Sequence, residues 1–200
     1  HGRVVDEAYE RPDRDFLSYY DATKYMAHRM AVARQAAGGP LVIVMPGAVY
    51  GRGDHSELGA QIQQAARGKY IIRAFPDLGF TMGYLDDVAD GIVLAQSRGR
   101  VGESYVLGGE VTRLGTILDM VADLTGHKRP RFKLPSAVFS AARPLGGVVG
   151  RLIGTGPNLH EVVRASKGVT YWASSAKAER ELGYAPRRLE QGLKDLLGAR

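Results

Sequence analysis

Leu41-Val42-Ile43-Val44-Met45 is an unbroken apolar run, and it constrains the fold more than any other segment. A strand with one wet face alternates apolar and polar side chains. A run without alternation fits a strand covered on both faces, as in a parallel sheet between layers of helices. What precedes it agrees. From Tyr19 to about Ala37 the apolar residues Met26, Ala27, Met30 and Ala31 recur at helical spacing, and Gly38-Gly39-Pro40 stops the helix. A helix, a Gly-Pro stop and a buried strand make half of an α/β unit, so the fold class is α/β.

The remaining pattern is of the same kind. Residues 1–18 read as an exposed acidic-basic loop. A glycine-rich loop at 46–54 leads to a helix over 56–66 with Ser56 as its N-cap. Short strands are predicted near 70–74 and 81–85, and a helix over 86–95 carries acids in its first turn, where the helix dipole favours them. Ser104–Leu107 reads as a strand. Thr112 is the candidate N-cap of an amphipathic helix that runs to Leu124 and ends at Gly126. The segment from Pro135 to Ile153 is apolar and rich in Ala and Gly, too short and broken for a membrane span, and is read as a packed helix pair or a pocket wall. Two short helices, about 175–182 and 189–197, close the chain.

Composition narrows the function classes. At 200 residues, with 44% hydrophobic and 24% charged, the chain is globular rather than disordered. It has no cysteine, which excludes disulfides and thiolate metal sites and fits a reducing cytoplasm. The net charge is +6, but acids lie among the bases, and only His127 to Lys133 forms a basic cluster. Nucleic acid and membrane are not expected partners, and no metal-ligand spacing is present.

The residues with the clearest chemical sense are Tyr20 and Lys24. At i and i+4 they share a helix face. A tyrosine with its ordinary pKa near 10 is a poor acid or base at neutrality, and a nearby ammonium favours the phenolate. Such a pair can give or take the proton that accompanies hydride transfer. Tyr19 meets only Thr23 four residues on, and Tyr25 meets Arg29 on another face. Taken alone, the pair is a common coincidence.

Three further landmarks change its weight. They are Pro46-Gly47-Ala48-Val49-Tyr50-Gly51, then Tyr84-Leu85-Asp86-Asp87-Val88-Ala89-Asp90, then Ser175-Ala176-Lys177 through Gly183-Tyr184-Ala185-Pro186. With Tyr20-Asp21-Ala22-Thr23-Lys24 they resemble, in order, the motifs of the extended short-chain dehydrogenase/reductase superfamily. Within it the chain is most similar to the dihydroflavonol-reductase-like and NAD-dependent epimerase/dehydratase group.

The resemblance implies the C-terminal part of a Rossmann-type doubly wound parallel sheet plus a small, mainly helical substrate-binding domain. Residues 1–110 would be the remaining part of the dinucleotide-binding domain, and 111–200 mostly the substrate region. It implies an oxidoreductase that uses NAD or NADP, with Tyr20 as acid/base and Lys24 assisting and holding ribose. Pro46, Gly47, Ala48 and Val49 would lie against the nicotinamide. Asp54 and His55 fall in the loop that closes over the substrate, and Asp87 is expected to be structural. A homodimer through the tyrosine-bearing helix is implied, with Ala22, Met26, Arg29 and Met30 serving that contact or the core.

A nucleotide-sugar epimerase or dehydratase is the alternative within the fold, and a non-catalytic dinucleotide-binding relative the alternative outside catalysis. The family's glycine-rich phosphate loop has no counterpart here. Gly146-Gly147 and Gly154 with Gly156 come too late in the chain. That loop and the catalytic Ser or Thr are expected upstream of His1, so the 200 residues alone are expected to bind dinucleotide poorly.

Overall fold

A computed structural model describes residues 2–16, 18–70, 72–73, 75–129, 132–133 and 170–198. The predicted segment 135–153 lies outside the described residues. The apolar run becomes β1 (Ile43–Pro46), which pairs in parallel with β5 (Ser104–Leu107). It is preceded by α1 (Tyr19–Ala36), whose cap Ser18 accepts the Asp21 N–H.

The chain then changes sheets. β2 (Ala48–Tyr50) pairs in parallel with β4 (Gly79–Tyr84). β4 is joined by antiparallel β6 (Val111–Arg113) and parallel β8 (Thr170–Tyr171). A short parallel pair, β3 (Ile72–Arg73) with β7 (Phe132–Lys133), stands apart. The remaining helices are α2 (Glu57–Ala66), α3 (Leu85–Arg98), α4 (Leu114–Leu124), α5 (Ala176–Leu182) and α6 (Leu189–Leu197).

Two cores result. Ile62, Ile117, Leu118, Val121 and Leu193 bring α2, α4 and α6 onto the mixed sheet, where Tyr50, Met82 and Tyr84 meet them. Tyr105, Leu107, Ala178, Leu182 and Tyr184 form a second core that seats α3 and α5 on β5. The C-terminal helix α5 therefore returns to the first sheet. Full burial of each such aliphatic side chain stabilises by roughly 1.5–3 kcal/mol.

Two sequence expectations are corrected, and a third gains detail. The run 41–45 is half-buried rather than covered on both faces: Val42 and Val44 pack on the second core, whereas Leu41, Ile43 and Met45 on the other face join no core among the described residues. Residues 2–16 and 18 form the largely exposed loop expected, anchored at two points. Val5 bridges Ala173, and the Glu7 carboxylate accepts the Val106 N–H at 2.8 Å, so an otherwise unpaired strand amide is satisfied. Thr112 does not cap α4. It is held as a strand residue opposite Phe80, its carbonyl accepts from Trp172 Nε1, and the helix begins after Arg113 without a side-chain cap.

No helix among the described residues is long and apolar enough to cross a membrane. Nor do the described residues include a group of three or more metal-ligating side chains.

Candidate active site

α1 leads into β1 through the Gly38–Pro40 turn. The Gln35 side chain ties the helix end to the start of the sheet by donating to the carbonyls of Leu41 (3.0 Å) and Glu103 (3.1 Å).

Tyr20 and Lys24 occupy the first turns of α1, and both are exposed. Lys24 Nζ lies 5.4 Å from the centroid of the Tyr20 ring. The Thr23 hydroxyl donates back to the Tyr20 carbonyl at 2.8 Å. The next residue, Asp21, pairs with Arg11 at 2.8 Å. Arg11 also lies over Phe16, whose ring packs on Tyr25. The segment before the helix is thereby held against its first turns.

The 46–49 turn is where the chain leaves β5 for β4. The Gly47 N–H donates to the Leu107 carbonyl at 3.0 Å. A Cβ on Gly47 would overlap the Thr81 carbonyl oxygen, so the close approach of the two sheets requires glycine there. Gly108, the residue after β5, meets the Thr81 side chain in the same way. Pro46 is exposed, and Ala48 and Val49 are half-buried. The Tyr50 side chain turns inward to the first core, edge-on to Tyr84 with centroids 5.5 Å apart. Burial, then the Asp87 carboxylate, pushes its hydroxyl above the usual tyrosine range.

The two residues of the following loop separate. The Asp54 carboxylate accepts the Ser56 N–H at 2.8 Å and lies against Gly59, so it organises the start of α2. His55 is exposed. Asp87 holds a neighbouring segment, since its carboxylate receives the backbone N–H and guanidinium of Arg187. It does not cap α3, whose N-terminus has no side-chain cap.

Sequence reasoning passed over Thr81, Phe80 and Tyr171. Thr81 is buried, and its hydroxyl donates to the Tyr171 and Ala173 carbonyls and accepts the Ala173 N–H at 2.7 Å. Phe80 and Tyr171 are register partners with stacked rings. Partial burial, then the Asp21 carboxylate, raises the pKa of the Tyr171 hydroxyl. The aromatic doublet Tyr171-Trp172 was the available signal.

A model of the NAD dependent epimerase/dehydratase family matches residues 5–108. The chain belongs to that family. Among curated members, "Sterol demethylase protein B" of Methylococcus capsulatus is 30% identical over 173 residues, covering 84% of this chain and 52% of that protein. A ketoreductase of Stigmatella aurantiaca, named for a 4-hydroxy-2-methyl-3-oxo-4-farnesyl-3,4-dihydroquinoline-1-oxide, is 31% identical over 195 residues, covering 94% and 57%. The solved structure of gox2253 superposes with a TM-score of 0.79 at 29% identity, covering 98% of this chain and 60% of that one. A nucleoside-diphosphate-sugar epimerase from Pseudomonas aeruginosa shares the fold, with a TM-score of 0.71 at 24% identity over 98% and 60% of the two chains. The chain thus spans little more than half the length of these family members.

Proposed function

We propose that the protein is an NAD(P)-dependent oxidoreductase that moves hydride between the cofactor and a carbonyl or alcohol, with Tyr20 as the acid/base. The observation that carries this reading is the placement of Lys24 Nζ 5.4 Å from the exposed Tyr20 ring.

The residues fit a dinucleotide. Among the described residues no carboxylate pairs with Lys24, which leaves ammonium donors for ribose hydroxyls. The glycine at 47 lets backbone pass closely where Pro46 to Val49 would face the nicotinamide. NAD or NADP supplies or accepts the hydride when bound. In the reductive direction Tyr20 gives its hydroxyl proton to the carbonyl oxygen as hydride reaches the carbon. The adjacent Lys24 ammonium stabilises the resulting phenolate. In oxidation Tyr20 takes the proton back.

Reduction is favoured over epimerisation by the relatives' names. Besides the Stigmatella ketoreductase, "Putative dihydroflavonol 4-reductase" of Synechocystis is 28% identical over 97% of this chain and 58% of its own length. Association of two chains through α1 belongs to the same proposal. It is supported by the absence of any buried residue on α1 and by the exposure of Tyr19, Met26 and Met30.

The test is Tyr20→Phe in the full chain as its gene encodes it, with NADH and NADPH titrated by nicotinamide fluorescence. Turnover should be lost and cofactor affinity kept. Undiminished turnover in the variant would sink the reading.

A further inference from the structure

We propose that the cations gathered where α2 and α4 end form a docking surface for an anionic lipid bilayer. The surface uses none of the residues assigned to hydride transfer and stands or falls independently of that assignment.

The fold assembles it from two stretches of chain. α2 and α4 pack on each other and share the first core, through Ile62 and Ala65 on one and Leu118 and Val121 on the other. They end side by side, since a Cβ on Gly68 would come within 2.9 Å of the His127 ring. There the Lys69 N–H turns back to the Gln64 carbonyl at 2.9 Å, and the His127 N–H to the Ala122 carbonyl at 2.8 Å. Both stretches then enter the parallel pair β3 and β7, in which Arg73 and Lys133 are Cα partners.

Arg67, Lys69 and Arg73 thereby come beside Lys128, Arg129 and Lys133. No acid stands between Glu57 and Asp77, and none between Asp123 and Glu161. Arg67, Lys69, His127 and Lys128 are exposed. The Asp123 carboxylate is taken by the Arg129 guanidinium, Nε to Oδ1 at 2.8 Å and Nη2 to Oδ2, and Asp119 acts on the same side chain. Among the described residues no carboxylate pairs with Arg67, Lys69 or Lys128. Along the chain these bases lie in two separate stretches, and neither alone suggests a membrane partner. Their union is a property of the fold.

The chemistry of the patch selects the partner. A discrete phosphate is held by helix N-termini, whose N–H groups point at it. These cations surround helix C-termini, whose carbonyl ends disfavour an anion at close range. Long exposed side chains beyond such ends carry their charge outward, toward a broad anionic surface rather than around one group. A nucleic acid strand would call for exposed rings between the cations, on which bases stack. Tyr70, between Lys69 and Arg73, packs on the first core with its hydroxyl buried. Charge without a stacking face matches a sheet of acidic phospholipid headgroups.

The experiment uses the full gene-encoded chain and co-sedimentation with vesicles. The probes are pure phosphatidylcholine, and phosphatidylcholine with about 30% phosphatidylglycerol, which supplies the anionic surface. Poly(U) is the competing polyanion. The protein should bind the phosphatidylglycerol vesicles at about 50 mM salt, leave them at about 500 mM, and ignore the neutral ones. Lys69→Gln and Lys128→Gln should each weaken binding about fivefold, and together about twenty-fivefold. Asp123→Asn, which releases Arg129 from its carboxylate, should tighten binding about fivefold. That gain keeps the test decisive if the lysine variants fold poorly. Arg34→Gln with Arg180→Gln removes the same charge from α1 and α5 and should bind as the wild type does.

Equal affinity for neutral vesicles, an Asp123→Asn variant that binds no better, or a control pair that weakens as far as the lysine pair would overturn the proposal. Poly(U) bound where the vesicles are not would overturn it too, and would assign the patch to nucleic acid.

Discussion

Arg187 closes on Asp87 twice, once through its backbone N–H (2.8 Å to Oδ2) and once through its guanidinium (Nη2 to Oδ1, 2.7 Å). The same guanidinium reaches Asp195 at 2.7 Å and lies over the Tyr84 ring at 4.1 Å. One side chain thereby joins α3, the segment before α6, and α6 itself. The Asp87 side chain is 9% exposed, so removing its partner strands a nearly buried carboxylate.

Asp87→Ala should therefore cost about 3 kcal/mol of stability, and Arg187→Ala a similar amount. The pair shares one network, so the double variant should cost clearly less than the sum of the two. Urea denaturation of the three variants measures this. Additive losses would show that the two residues act independently.

Gly47→Ala tests the strand switch beside the proposed nicotinamide site. The added methyl has nowhere to go, since it meets the Thr81 backbone carbonyl rather than a movable side chain. A loss of about 1–3 kcal/mol is expected. Because the overlap pushes the 46–49 turn away from β4, affinity for the dinucleotide should fall as well. Gly53→Ala is the control. Gly53 has a positive φ of 76° but nothing within reach of a Cβ, so it should lose some stability to backbone strain and keep cofactor affinity.

What was legible in the sequence was local. α1, the Ser56 cap and the two closing helices follow from spacing, cap residues and glycine stops within a few positions. Gly183 and Gly198 end their helices at φ 76° and 66°, as such stops require. The pairing of Tyr20 with Lys24 is likewise a property of one helix. The tertiary partners were not legible. Nothing in the run 41–45 states how many strands will flank it. Nothing in Thr112 states that strand pairing with Phe80, 32 residues earlier, outcompetes a helix cap. The Phe80–Tyr171 stack spans 91 positions, and only the fold brings it together.

The buried tyrosines give a pH prediction. Burial pushes the Tyr50 and Tyr184 hydroxyls well above their ordinary range, with Asp87 adding to both. Unfolded, each ionises near pH 10, while folded each stays neutral. The unfolded state then binds fewer protons than the folded one. Stability is intact below about pH 10 and falls as pH rises beyond it. Urea midpoints between pH 8 and 11 should show this decline, and Tyr50→Phe should flatten it. The Tyr184 hydroxyl is buried without a hydrogen-bond partner among the described residues, so Tyr184→Phe should also raise stability at pH 7, by about 1 kcal/mol. The Tyr50 hydroxyl has a 3.4 Å contact with the Leu189 carbonyl, so Tyr50→Phe should gain nothing there.

The N-terminal segment offers the last test, because its contacts are few and specific. Val5 exchanges hydrogen bonds with β8's continuation, its N–H to the Trp172 carbonyl at 2.9 Å and its carbonyl from the Ser174 N–H at 2.8 Å. Glu7 then meets the Val106 N–H of β5 at 2.8 Å. A carboxylate on a strand amide is a charge-assisted bond, and without it that amide is left unpaired on a strand edge. Glu7→Ala should cost about 1.5–3 kcal/mol. Amide exchange at Val106 should accelerate far more than exchange at Val44, which faces the strand from the β1 side. Glu7→Gln keeps an acceptor oxygen and should restore most of the protection. Equal acceleration at Val44 and Val106 would mean that Glu7 stabilises the whole sheet rather than sealing this one edge.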